Sequence, residues 1–356
     1  MKRTWSHAAW ISTILVLASG PARAQVTIQL NHPQADYFAN AIGLGTADQL
    51  AQELSLKVND LFRVANVDSF LKDFQNAQSF SAKGLGVDYA SEATLAEVGA
   101  TFSFASNVDK AYSPSGGYTD PPISGGGANF SLMGGLGFGL FGLDPVMVFA
   151  NWFKGSASLG QLDGDYHNWG LHGQIRLLGP SRRSSLSKLI VRWGGIAITS
   201  GADYSRLSLS ARKSINSTFN VVPGAPVTVT NIGDLQFDVT QKTWSVPLEI
   251  TTSLRLLSLI TLYGGIGLDW QLGGGSDLNI KMAANLSGSY NGVRYDNVGT
   301  ATINAAGHAN PSPAKLREIF GVQVSILDFV RIFTQVNISD GSPMLTSVAA
   351  GLRLGI

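Results

Sequence analysis

The run Leu248–Leu272, LEITTSLRLLSLITLYGGIGLDWQL, constrains the fold more than any other part of the 356-residue sequence. Its apolar content suits a membrane or core helix, yet Arg255 and Asp269 lie inside it and Gly264, Gly265 and Gly267 crowd its second half. A helix would set both charges among leucines, and each interior glycine would cost about 1 kcal/mol. Divided at Leu257-Ser258, the same run alternates strictly. Val246, Leu248, Ile250, Leu254 and Leu256 share one parity and Glu249, Thr251, Ser253 and Arg255 the other. Beyond the division, Ile260, Leu262, Ile266, Leu268 and Trp270 oppose Thr261, Gly265, Gly267, Asp269 and Gln271. Period two signifies a strand with one apolar and one polar face, so the run is a β-hairpin.

The pattern recurs. Val98, Ala100, Phe102 and Phe104 alternate with Glu97, Gly99, Thr101 and Ser103; Trp169, Leu171, Ile175 and Leu177 alternate with Asn168, His172, Gln174 and Arg176. Phe320–Ile326 and Val330–Ile338 behave alike. Alternation alone fits a soluble sandwich as well as a membrane barrel. Segment length separates them: these runs span about 11–15 residues, against about 5–6 for a typical soluble strand. Connections alternate short and long, and strand ends carry Trp152, Trp169, Trp193, Trp244 and Trp270, as an interfacial girdle requires.

The last segment, MLTSVAAGLRLGI, sets Val348, Ala350, Leu352, Leu354 and Ile356 on one face and Arg353 on the other. It resembles the terminal strand of bacterial outer-membrane β-barrel proteins, although that pattern usually ends in phenylalanine where this chain has Ile356. The resemblance covers residues 95–356 and implies an all-β, antiparallel transmembrane β-barrel in the outer membrane. It also implies two partners, outer-membrane lipid and the barrel assembly machinery. Counting back from a periplasmic C-terminus puts inner turns at 328–329, 257–258, 179–187 and 142–145. Outer connections fall at 340–343, 273–314, 201–241, 159–165 and 107–127. The count closes at ten strands, an even number with both ends on one side. Twelve follows if Leu278–Tyr290 and Arg294–Ala305, around Asn291-Gly292, join the wall; placed above the membrane they form an outer-loop hairpin.

Residues 1–24 read as a cleaved signal peptide: Lys2 and Arg3, the apolar Ala8–Ala18, then Ala22-Arg23-Ala24. Residues 25–94 read as a helical segment, either periplasmic or a plug that enters the lumen. Thr46 with Gln49 makes a capping box ahead of Leu50, Leu54, Val58, Leu61 and Phe62, and a second short helix is expected over 68–77. From Asp36 to Asp73 six acids face three bases, a net charge of −3. Val26–Leu30 and Ala82–Tyr89 fit strands outside the ten.

Net charge +1 gives no general case for nucleic acid. The absence of cysteine excludes disulfides, thiolate metal sites and thiol nucleophiles. No G-x-S-x-G elbow occurs, the glycine runs lack a phosphate-loop lysine, and neither a cofactor nor a metal is expected.

Arg176, Arg192, Arg255, Arg331 and Arg353 carry lumen parity and sit close to inner turns, whereas Arg317 lies near the outer end. They form either a basic ring that favours anions and holds the acidic helical segment, or filling for a narrow lumen paired with Glu97 and Glu249. Asp269 is a third lumen acid. Asp163, Asp165 and His167 in LDGDYHNW fall at an outer rim, where an aspartate–histidine pair can activate water and a polar turn is the plain alternative. Ten strands are too few for a wide channel. The expected function is therefore a narrow or gated pore for small solutes, or a structural barrel, without enzymatic activity. A surface adhesin built on loops 201–241 and 273–314 is the alternative, and a rim hydrolase using His167 the third.

Overall fold

The computed structural model describes residues 25–63, 67–90, 95–107, 126–143, 145–179, 191–214, 216–231, 235–257, 259–327, 329–341 and 344–355. Residues 1–24, over which a signal peptide is expected, and the connections 108–125 and 180–190 lie outside the described residues. In chain order the elements are β1 (Gln25–Leu30), α1 (His32–Ala41), α2 (Ala47–Arg63), α3 (Val67–Ser81), β2 (Ala96–Asn107), β3 (Gly126–Gly137), β4 (Val146–Leu159), β5 (Leu162–Leu178) and β6 (Val191–Lys213). There follow β7 (Asn216–Val222), β8 (Ala225–Asn231), β9 (Leu235–Leu256), β10 (Ile260–Tyr290), β11 (Val293–Ala309), β12 (Ala314–Leu327), β13 (Val330–Ser339) and β14 (Leu345–Gly355).

Ten of these strands close a ring in the order β2-β3-β4-β5-β6-β9-β10-β12-β13-β14, and β14 pairs antiparallel with β2 to seal it. Each ring strand is hydrogen-bonded to a neighbour on both sides, β3 and β4 only over Leu132–Gly137 and Met147–Trp152, and a closed ring of strands is what a bilayer demands. The wall is apolar outside: Phe102, Leu136, Leu171, Ile250, Ile266 and Phe320 are all exposed. Its inside is polar, with Thr101, Ser131, Asn151, Gln174, Thr251 and Asn337 buried. The hairpin read from the opening run is present, with Ile260 opposite Leu256 and Leu257 at φ 52° in the turn.

The strands are longer than the sequence spacing predicts on one side of the ring. β6, β9 and β10 run 23, 22 and 31 residues. At about 3.3 Å per residue β10 extends roughly 100 Å, far more than a hydrocarbon core of about 30 Å needs. Its lower part pairs with β12; after a bulge between Gln271 and Gly273 its upper part pairs with β11. Gly274, at φ 112°, occupies that exchange of partners, where a side chain would collide with the Lys242 carbonyl. Much of the expected connections 201–241 and 273–314 is therefore strand. The Asn291-Gly292 turn has φ of 48° and 79°, the signature of a tight primed turn, and its hairpin stands off the ring as expected.

Beyond the ring, β7-β8-β10-β11-β1 form a five-stranded antiparallel sheet. Helices α1 and α2 cover it through a core of Ala35, Phe38, Ala39, Leu50 and Leu54 against Val227, Leu286, Val298 and Ala301. Thr46 and Gln49 make the reciprocal capping box that starts α2, at 3.1 and 3.3 Å. Helix α1 was not read from the sequence, although Pro33 in its first turn and Ala35, Phe38, Ala39 and Ile42 at helical spacing signal it. Residues 82–89, which fit a strand by pattern, instead form turns. No described helix is long and apolar enough to cross a membrane.

Candidate functional site

The N-terminal segment passes through the barrel. Residues 25–63 lie in the sheet-and-helix head at the hairpin end, and the chain then descends the lumen to the short-turn end, where β2 begins. Successive levels of β9 record the descent. Gln75 bonds Thr243 at 2.6 Å, Lys83 bonds Ser245, Tyr89 bonds Glu249 at 2.8 Å, and the Ala90 carbonyl accepts from Ser253 at 3.0 Å. Residues 71–90 are buried throughout apart from Lys72, because the wall surrounds them. Gly127 permits the tightest approach: a Cβ there would overlap the Gln78 backbone.

Three tiers hold this plug. In the upper tier Gln75 also accepts from Ser276 at 2.6 Å, and Gln271 donates to Ser79 at 2.8 Å. The middle tier is ionic. Lys83 lies 3.8 Å from Asp203 and 3.9 Å from Asp269, Asp203 lies 3.0 Å from His172, and Arg317 bridges Asp269 (2.9 Å) and Glu249 while donating to Asn337 at 2.8 Å. In the lower tier Arg353 donates to Asp88 at 2.7 Å and to the Val87 carbonyl. Its guanidinium also stacks 3.9 Å above Phe333. Val87, Tyr89 and Ala90 pack there on Met147, Phe149, Tyr263 and Ile319. Buried charges are tolerable only when paired; Lys83 and Asp88 are paired across the plug–wall boundary, and Arg317 and His172 with acids of the wall itself.

The five candidate arginines all lie at the short-turn ends of their strands. Arg192 stands opposite Arg255 and Arg331 opposite Arg353. They differ in environment: Arg331 and Arg353 are buried, Arg176 and Arg255 half-buried, Arg192 exposed. Arg331 lies 3.8 Å from Glu97. The acid that reaches this set from the N-terminal segment is Asp88, which lies outside the acidic stretch Asp36–Asp73. Glu249 and Asp269 meet Arg317 higher up; the sequence pattern offers Glu249 as a partner for the lumen arginines without selecting Arg317, and leaves Asp269 without an assigned partner. Lys83, Asp88, His172 and Asp203 complete the cluster. Only the plug's path could select Lys83 and Asp88 from the chain's other charges.

Asp163, Asp165 and His167 do not sit in a turn. The β4–β5 turn is confined to residues 160–161, and all three lie on β5, paired with β4 and β6 and on the outward parity of Trp169. Asp163 accepts from Ser158 at 2.6 Å, and the His167 ring lies 5.8 Å from Tyr204. Among the described residues no group of three histidines or carboxylates could hold a metal ion.

Solved structures similar to this chain include the translocator domain of the autotransporter NalP from Neisseria meningitidis. It is 12% identical at TM-score 0.31, with 79% of this chain and 93% of that chain covered. The outer membrane protease OmpT from Escherichia coli is 11% identical at TM-score 0.33, over 73% and 96%. The Acinetobacter baumannii outer membrane protein Omp33 is 10% identical at TM-score 0.24, over 74% and 98%. No curated protein matches the sequence. The family-level likeness takes in head and plug as well as ring: the model described as Lsa36-like matches residues 22–356, and the chain belongs to the Lsa36-like family.

Proposed function

We propose that this chain is a plugged barrel of the bacterial outer membrane whose task is to display the head formed by β1, α1, α2 and the β7–β8 and β10–β11 hairpins as a binding surface. The observation that carries the reading is the filling of the lumen by residues 71–90, on an ionic middle tier and an apolar seat. A closed lumen suits an anchor, and an anchor suits a head with its own core. In this reading the hairpin end faces outward, residues 25–63 are exposed with it, and His167 has no catalytic role. Binding of host or matrix macromolecules by cells displaying the barrel, lost on replacing residues 216–231 and 284–300 by short turns, tests it. Binding that survives both replacements removes the head from the function.

A second reading, a gated pore for small solutes, draws support from the polar character of the plug's upper contacts through Gln75, Gln78 and Ser79. Planar-bilayer recordings separate the two. A display barrel stays closed across applied voltages, while a gated pore shows discrete openings that become permanent when residues 67–90 are deleted.

A further inference from the structure

The outward wall of β4, β5, β6 and β9 carries two adjacent cross-strand rows that the binding head does not use. The register sets Trp152 opposite Trp169, Trp169 opposite Tyr204, and Tyr204 opposite Trp244. The rings of Trp169, Tyr204 and Trp244 cluster, with centroids 6.2 Å apart for Trp169–Tyr204 and 4.9 Å for Tyr204–Trp244. Two residues further toward the hairpin end, the same register sets Lys154 opposite His167, His167 opposite Arg206, and Arg206 opposite Lys242. Lys154, Arg206 and Lys242 are exposed, and His167 is half-buried beside Tyr204. Four consecutive strands thus each present an aromatic residue and then a base. The rows share one slant, so the base lies outside the aromatic on every strand, by roughly 7 Å.

That order, apolar belt, aromatic row, basic row, is the polarity sequence of a bilayer leaflet read outward: hydrocarbon, interface, charged headgroup. The next two outward-facing rows contain Asp165, then Asp163 opposite Ser210 and Asp238 beyond it, so acidic and neutral positions separate the basic row from Arg212 further out. Four strands about 4.8 Å apart make the row roughly 14 Å wide, enough for long side chains on neighbouring strands to converge on one phosphate.

We propose that Lys154, His167, Arg206 and Lys242 form a docking site for the phosphate headgroup of an anionic lipid in the leaflet at the hairpin end, with the aromatic row seating the top of its acyl chains. The site depends on neither the outward orientation nor the binding role of the head.

The test uses the full-length protein reconstituted in phosphatidylcholine bilayers containing a minor fraction of dibrominated lipid, with tryptophan quenching as readout. Dibrominated phosphatidylglycerol is expected to be preferred over dibrominated phosphatidylcholine by about fivefold or more, the effect of roughly one base near a charged surface. The triple variant Lys154→Gln/Arg206→Gln/Lys242→Gln should bring the two lipids to parity. Arg212→Gln, on the same face of β6 but six residues further out, should leave the preference intact. Circular dichroism and heat-modifiable gel mobility establish that each variant is folded, and the single variant Arg206→Gln gives a graded loss if the triple does not fold. Parity in the unmodified protein, or a preference that survives the triple or single variant, overturns the proposal. So does loss of the preference on adding inorganic phosphate, which would mark a free-phosphate site instead.

Discussion

Removing the Asp88 carboxylate tests whether the lower tier holds the plug. Both Asp88 and Arg353 are fully buried, and the ion pair spans 2.7 Å. In Asp88→Ala the guanidinium keeps the Val87 carbonyl and Gln323 at 3.2 Å, both neutral, and the stacking on Phe333. Breaking a buried pair from one side costs about 3–5 kcal/mol. The surviving neutral partners put this case at the low end, about 3 kcal/mol, or roughly a hundredfold in the seating equilibrium. The ring is closed by ten strand pairings that do not involve residue 88, so the loss should be local. Hydrogen exchange followed by mass spectrometry on the detergent-solubilised protein measures it. Peptides covering 82–90 should lose roughly a hundredfold of protection while those from 246–256 keep theirs. Pairing Asp88→Leu with Arg353→Met should restore much of the protection, since an apolar pair can replace a buried ionic one. Unchanged exchange at 82–90 in Asp88→Ala would refute the idea that this pair seats the plug. Equal loss throughout the strands would show that plug and wall unfold as one unit.

Gly127→Val places side-chain atoms where the Gln78 backbone lies, an overpacking of about 1–3 kcal/mol. The chain has no cysteine, so a single Ser79→Cys probe can report it: maleimide labelling should accelerate by about five- to a hundredfold in the Gly127→Val background. Arg317→Met strips Glu249 and Asp269 of their shared cation in a fully buried site, and should lower the denaturant midpoint of the gel-mobility transition by the equivalent of about 3–5 kcal/mol. In the head, Asp277 lies 2.7 Å from His308 and, with Asn310, raises the pKa of the imidazole above its ordinary value. Its stabilisation is complete below the unfolded histidine value and fades as pH rises through the higher folded one. Both groups are exposed, which limits the effect to under about 1 kcal/mol. Protection of the 276–309 hairpin should fall over that window, and His308→Gln should abolish the dependence.

Period two in the sequence was sufficient for the ring. Alternation assigns wall side chains to lipid or lumen by parity, because successive Cβ atoms in a strand point to opposite faces, except where bulges such as those at Arg176/Leu178 and Trp193/Gly195 switch it. Arg255, Asp269, Arg317 and Arg353 are therefore inward on pattern alone, the turn at Leu257-Ser258 follows from the break between two alternating runs, and the Asn291-Gly292 turn follows from local chemistry. Parity carries no information on partners in three dimensions. Strand extension beyond the membrane was hidden, since β6, β9 and β10 continue the same alternation after lipid gives way to solvent or to one another. So was the meaning of the Lys154, His167, Arg206 and Lys242 positions, which are dispersed over 89 positions of sequence and become one row only through register. For residues 67–90 the sequence offers both a periplasmic site and the lumen, and local pattern does not choose between them. A helix with glutamine, asparagine and serine on its surface reads as solvated, and only the enclosing ring, whose polar face points inward, makes the lumen a better partner for Gln75, Gln78 and Ser79 than water.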